Sequence, residues 1–254
     1  MNLLDHSTKK YKTAEVAAII GIHPNTVRLY EEWGLISKPE RQENGYRVFT
    51  SLHIRQIQLA RTAFQIEILQ NGLRKKIIEM VRTQAKGDFE GAILLTQEYL
   101  EQLREEQEHA EEAIQIVRQI LSDTGQENKR AMKRKEVSES LGISMDTLRN
   151  WERNGLLTVK RKENNYRIYN DDDLKRLKII RSLRCANYSH EAILRLLRQL
   201  SRDPKTDIKA ALNTPKQTED IISVCDRLIV SIAAAKVNAL KILEMLQEMK
   251  KLFL

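Results

Sequence analysis

GIHPNTVRLYEEWGLI, residues 21–36, is echoed further along the chain by GISMDTLRNWERNGLL, residues 142–157. The two stretches align at one constant offset, Gly21 with Gly142, Thr26 with Thr147, Arg28 with Arg149 and Gly34 with Gly155. Just downstream, ENGYRVF (43–49) returns as ENNYRIY (163–169), at an offset one residue shorter. A motif repeated in order and at fixed spacing marks a duplicated supersecondary unit. The chain reads as two copies of one small helical module.

Working outward from residues 21–36, Thr13 caps a short helix that runs to about Ile20, with Val16, Ile19 and Ile20 on one face. Gly21 ends it, because glycine takes a left-handed conformation at no steric cost. His23 is the N-cap of a second helix, Pro24 fills its first position, and Gly34 stops it after Trp33. Two short helices joined by a tight glycine turn make a helix-turn-helix. Residues 35–49 carry Pro39, the turn Asn44-Gly45 and the alternating Tyr46-Arg47-Val48-Phe49, the pattern of a β-hairpin wing. Helical spacing resumes at Ser51 and continues through Leu73, Ile77, Ile78 and Val81. In the second copy Ser144 caps the second helix and Asn170 with Asp173 opens the post-wing helix. Leu174, Leu177, Ile180, Leu183, Ile193, Leu196 and Leu197 supply its apolar stripe.

A long helix follows each copy. Asp88 caps the first, which runs to about Ser122 with Ile93, Leu100, Leu103, Ala110, Ile114, Val117 and Leu121 as an a/d-like seam. After an irregular 202–212, Thr214-Pro215-Lys216-Gln217 has the form of a helix start. The seam beyond it is Ile222, Cys225, Ile229, Ile232, Ala239, Leu243 and Leu246, interrupted by Lys236. An amphipathic helix on a globular core is the plainer alternative to a coiled coil. The expected fold is mainly α. Residues 1–86 form the first winged helix-turn-helix module, 87–122 the first coiled-coil helix and 123–129 a linker. Residues 130–213 form the second module and 214–254 the second coiled-coil helix.

Composition agrees with this division. Hydrophobic residues at 41% and charged residues at 31% suit helices with long solvated faces, and 5% aromatics argue against a large β domain. The net charge of +8 is concentrated around the repeats, whereas residues 101–112 are acidic. Cys185 and Cys225 form no CxxC pair, and His6, His23, His53, His109 and His190 form no ligand pair, so no metal site or cofactor is expected. The start MNLLDHSTKK lacks an apolar signal core and no window resembles a membrane span, so a cytoplasmic protein is expected. No phosphate-cradling loop or nucleophile motif suggests an enzyme.

These residues resemble the MerR family of transcription regulators, whose module combines a TLRyYE-x-x-GL helix-turn-helix, a GYRxY wing, two further helices and a long dimerisation helix. The first copy matches with Thr26-Val27-Arg28-Leu29-Tyr30-Glu31, Gly34-Leu35 and Gly45-Tyr46-Arg47-Val48-Phe49. The second matches with Thr147-Leu148-Arg149-Asn150-Trp151-Glu152, Gly155-Leu156 and Asn165-Tyr166-Arg167-Ile168-Tyr169, departing at Trp151 and Asn165. The resemblance implies that Arg28 and Arg149 enter the major groove, Tyr30 and Trp151 pack on the sugar-phosphate backbone, and Arg47 and Arg167 hold phosphates. Thr26, Lys38, Arg41, Tyr46, Thr147, Lys160, Arg161 and Tyr166 complete the candidate DNA-binding set, with Tyr46 and Tyr166 open between DNA contact and wing packing.

The expected function is that of a sequence-specific transcription regulator binding double-stranded DNA, with RNA polymerase at a promoter as a further partner. An architectural chromosome-organising protein is the alternative. A linker of about eight residues reaches ~28 Å, short of the ~50 Å length of the first long helix. The two long helices are therefore expected to pair antiparallel within one chain, giving a pseudo-dimer, with a helix-swapped homodimer as the alternative. The recognition faces differ, His23, Asn25 and Leu29 against Ser144, Asp146, Asn150 and Arg153, so an asymmetric operator is expected. Any effector pocket is expected near Cys185, Tyr188 and Cys225.

Overall fold

The computed structural model describes residues 9–66, 68, 72–122, 132–159, 167–214 and 227–253. The fold is mainly helical. Its first module comprises α1 (Thr13–Ile20), α2 (Pro24–Glu32), the strands β1 (Glu40–Arg41) and β2 (Arg47–Val48), α3 (Ser51–Ala63) and α4 (Leu73–Ala85). The first long helix is α5 (Phe89–Ser122). The second module contains β3 (Met132–Lys133), α6 (Arg134–Leu141), α7 (Met145–Arg153), β4 (Ile168–Tyr169), α8 (Asp171–Cys185), α9 (His190–Leu200) and α10 (Ile208–Asn213). The second long helix is α11 (Leu228–Phe253). Among the described residues no helix is long and apolar enough to cross a membrane.

The helix-turn-helix is set by local chemistry that is the same in both copies. Lys12, not Thr13, is the N-cap of α1, and its N–H donates to the Glu15 carboxylate at 2.6 Å. Lys133 donates likewise to Glu136 at 2.8 Å at the start of α6. Gly21 and Gly142 close these helices at φ 73° and 60°, where a side chain is disfavoured. Beneath the turn, Val16, Val27, Ile36, Phe49 and Ile57 are buried in the first module. Val137, Leu148, Leu157, Tyr169 and Leu177 are buried at the equivalent positions of the second. Each such side chain contributes about 1.5–3 kcal/mol on burial.

The wing pairs in a way that hydrophobic patterning did not suggest. β1 and β2 form the expected hairpin, with Glu40 opposite Val48 and Arg41 opposite Arg47. The chain before α1 then adds to it: Tyr11 N–H donates to the Phe49 carbonyl at 2.8 Å and Phe49 N–H to the Tyr11 carbonyl at 2.9 Å. In the second module this becomes the pair β3–β4, with Met132 opposite Tyr169. Buried and half-buried polar groups anchor the stretch between recognition helix and wing. In the first module Gln56 accepts from Ser37 N–H at 2.8 Å and Gln84 donates to the Leu35 carbonyl at 3.1 Å. In the second, Arg176 donates to the Leu156 carbonyl at 2.7 Å.

The long helices pair antiparallel, and the Lys250 ammonium at the end of α11 meets the Glu90 carboxylate at the start of α5. Buried on α5 are Phe89, Ala92, Thr96, Tyr99, Leu103, Glu106, Ala110, Ala113, Ile114 and Val117, so the expected Leu103, Ala110, Ile114 and Val117 face inward. Ile93 and Leu100 therefore lie one position off the seam expected from apolar residues alone. Tyr99 and the polar Thr96 and Glu106 hold seam positions. On α11 Leu228, Ile229, Ser231, Ile232, Ala235, Ala239, Ile242, Leu246 and Met249 are buried, so the expected Ile229, Ile232, Ala239 and Leu246 face inward, while Ala235 takes the place given to Lys236 and Ile242 that given to Leu243. Residues 202–212 are not wholly irregular, because Asp207 caps α10 by accepting from Lys209 and Ala210 N–H. Thr214 is the C-cap of α10, while Pro215, Lys216, Gln217, Ile222 and Cys225 lie outside the described residues.

Compact units cut across the long helices. Unit 1 contains residues 1–104 and 232–254, and unit 2 contains 105–231. Each unit thus joins one module to part of both long helices.

Candidate nucleic-acid interface

In unit 1, α2 presents His23, Asn25, Arg28, Glu32 and Trp33 to solvent. The His23 Nδ1 accepts from Asn25 N–H at 3.2 Å, which fixes the helix start. Asn25 Oδ1 in turn accepts from the Arg28 guanidinium at 2.8 Å and holds that cation at the exposed face. Between α2, the chain before α1 and the wing lies a groove of about 800 Å³ whose lining includes Lys10, Lys12, Arg28, Asn44, Tyr46 and Arg47. Its basic rim and the Tyr46 ring, 72% exposed at the wing tip, suit a phosphodiester backbone with nearby base edges.

In unit 2, α7 exposes Ser144, Met145, Asp146, Arg149, Asn150 and Arg153. Ser144 Oγ accepts from Thr147 N–H at 3.0 Å and lies 2.9 Å from the Thr147 hydroxyl. The Arg149 guanidinium meets Asp146 at 2.9 Å, the same three-residue leash as Arg28 to Asn25, but with a carboxylate as acceptor.

The wing arginines, expected to hold phosphates, each pair with a glutamate of the recognition helix. Arg47 is half-buried and its Nε donates to Glu31, which also stands 3.8 Å from Arg41. Arg167 pairs with Glu152 at 2.6 Å. Glu152 also takes Arg134 at 3.2 Å and the Tyr169 hydroxyl at 3.0 Å. Burial raises the Tyr169 pKa, partly offset by its hydrogen bond to Arg134. Burial opposes charge on Arg134, but its hydrogen bonds to Tyr169 and Glu152 raise its pKa. Glu31 and Glu152 therefore brace each wing to its recognition helix. Sequence reading quoted both residues inside the motif without giving them this role; their recurrence in both copies was the available signal.

The two aromatic positions expected on the sugar-phosphate backbone differ in burial. Trp151 is 5% exposed, so most of its ring packs inside the module. Tyr30 is half-buried against the core, and its pKa is raised by burial with Arg61 pulling the other way. Trp33, at the end of α2, is instead 55% exposed and was not singled out. Thr26 and Thr147 are half-buried, and Lys38 and Arg41 are exposed. Lys160, Arg161, Asn165 and Tyr166 lie outside the described residues. Of the expected effector pocket, Cys185 lines a groove in unit 2. Tyr188 is a packing residue, buried with its hydroxyl donating to the Ala110 carbonyl at 3.4 Å. Among the described residues no group of three or more His, Cys, Asp or Glu side chains could hold a metal ion.

Comparison with known proteins identifies the modules. Residues 12–49 match the model of the MerR family regulatory protein, and residues 132–200 that of the MerR HTH family regulatory protein. The chain carries two tandem MerR-type modules. It is 43% identical over 53 residues to the HTH-type transcriptional regulator CueR of Escherichia coli O6:H1, covering 21% of this chain and 39% of that protein. It is 30% identical over 77 residues to the mercuric resistance operon regulatory protein of Bacillus cereus, covering 30% of this chain and 58% of that one. The HTH-type transcriptional regulator AdhR of Bacillus subtilis is 38% identical over 60 residues, covering 23% of this chain and 43% of that relative. The chain thus spans 39% of the length of the first of these relatives. No solved structure matches it. The first MerR-type match ends at Phe49, the wing residue that pairs with Tyr11, and so takes in the helix-turn-helix and its wing.

Proposed function

We propose that this chain is a sequence-specific DNA-binding transcription regulator in which one polypeptide supplies both reading modules, as a pseudo-dimer. The reading rests on one observation: the two recognition helices share the same leashed arginine and the same wing brace but differ at the exposed positions around them. Asn25 faces Arg28, whereas Asp146 faces Arg149; Glu32 in α2 is replaced by Arg153 in α7. Phosphate grip comes from shared cations, while base preference comes from the side chains that differ. Two unlike half-sites follow, read by two modules of one chain. The antiparallel pairing of α5 with α11 supports the pseudo-dimer, because it lets one chain satisfy the seam that two subunits would otherwise supply. Binding within a promoter would distort the DNA spacer and alter its use by RNA polymerase.

Selection of bound sequences from a random DNA pool, followed by footprinting on the selected site, tests this. The expected result is an asymmetric site whose affinity falls steeply with salt. A perfect inverted repeat would overturn the asymmetry. Broad coverage of DNA with no preferred site would replace regulation by chromosome architecture.

A further inference from the structure

The duplication supplies an internal comparison at a second place on each unit. In unit 1 a groove of about 530 Å³ runs between α1, α3 and the last part of α11. In unit 2 a groove of about 650 Å³ runs between α6, α8 and the latter part of α5. The walls correspond position by position: Ile20 with Leu141, Gln58 with Lys178, Arg61 with Arg181, and, on the long helices, Glu244 with Glu112 and Glu248 with Ile116.

Their chemistry has diverged. In unit 1 both arginines on the lining are engaged, Arg55 standing 4.0 Å from Glu248 and Arg61 bonding to Tyr30. In unit 2 the apolar Ile116 stands in the place of Glu248, and Ala113, Ile120, Leu141 and Ala186 extend an apolar surface beside it. Lys178 and Arg181 stand exposed at its edge, and among the described residues their charged ends have no hydrogen-bond or ion-pair partner. Among the described residues Glu112 is the one acid on the lining, against the two cations Lys178 and Arg181.

We infer that the unit 2 groove is a binding site for a small amphipathic anion, a carboxylate with an aliphatic or aromatic body. The body lies on Ile116, Ile120 and Leu141, and the carboxylate meets Lys178 and Arg181. The volume falls in the range of small-molecule sites, which are apolar with a few convergent polar groups. The apolar wall supplies binding through burial, and the two cations supply charge-assisted hydrogen bonds that select an anion over a neutral analogue.

The test uses the full chain with decanoate as ligand and 1-anilinonaphthalene-8-sulfonate as fluorescent reporter. Saturable reporter binding that decanoate displaces is expected, and decanol should displace it far less well. Decanoate should also slow alkylation of Cys185, which lines the same groove, as read by peptide mass spectrometry. Ile116→Glu, which installs the acid of the unit 1 groove, and the double variant Lys178→Gln/Arg181→Gln should each weaken decanoate by about tenfold or more. Arg55→Gln in unit 1 should leave it unchanged. Equal displacement by decanol and decanoate would overturn the inference. So would Cys185 alkylation that saturating decanoate does not slow, a result obtained on the unaltered chain and independent of how any variant folds.

Discussion

Removing the wing brace should cost more in the second module than in the first. Glu152 holds two guanidinium groups and a tyrosine hydroxyl, and its side chain and those of Arg134 and Arg167 are only 13%, 18% and 28% exposed. Glu31 is as buried at 11%, but it has one close partner, Arg47, since Arg41 stands 3.8 Å away and is 48% exposed. A hydrogen bond to a charged group contributes about 1.5–3 kcal/mol, and stranding a buried charge costs more. Discounting for partial solvent access, Glu152→Ala should destabilise by about 2–3 kcal/mol and Glu31→Ala by about 1–2 kcal/mol. Tyr169→Phe copies the Phe49 of the first module and removes only the hydroxyl. Its coupling to Glu152→Ala in a double-mutant cycle should be about 1 kcal/mol. Urea denaturation followed by circular dichroism gives all these values. A loss below about 0.5 kcal/mol for Glu152→Ala, or equal losses at both positions, would refute the brace as drawn.

Asp146→Asn recreates the Asn25–Arg28 arrangement and removes an anion from the exposed first turn of α7, which the proposed function turns towards DNA. It should tighten DNA binding and steepen the salt slope by about one unit, measured by fluorescence anisotropy across a salt series. His53, buried beside Phe49, has its pKa lowered by burial, with Glu31 and Glu40 opposing. The unfolded chain therefore takes the proton first. Stability is full above 6.5, the ordinary histidine value, and falls as pH drops through it towards the folded value. His190 adds to the same trend, its pKa lowered by burial and by Arg184. His53→Gln keeps an acceptor for the Thr50 N–H and should flatten, without abolishing, the loss of melting temperature between about pH 7.5 and about pH 5.5. Gly21→Ala forces a side chain into φ 73° and should cost about 1–2 kcal/mol by thermal denaturation, although no atom would clash with the new methyl.

The modules were legible because their determinants are local. Glycines at Gly21 and Gly142 and caps at His23 and Ser144 act within a few residues and recur in both copies, and the Asn44-Gly45 turn of the first is equally local. Much of what escaped is non-local. The pairing of Tyr11 with Phe49, and of β3 with β4, joins stretches dozens of residues apart through backbone groups that leave no hydrophobic period. The coil seam was rotated at its start because Thr96 and Glu106 occupy core positions that a count of apolar residues skips. α10 has too few residues for a periodic signal. Residue type alone does not place the aromatics: Trp151 is buried and Trp33 exposed, since position on the helix decides which face meets the core.

The most direct test of two unlike half-sites read by one chain is the stoichiometry of the complex on its selected site. Native mass spectrometry of the wild-type complex should be combined with footprints of Arg28→Ala and Arg149→Ala. The account predicts one chain per site, with each substitution clearing protection from a different half. Two chains on one site, or a symmetric loss of protection from either substitution, would contradict it.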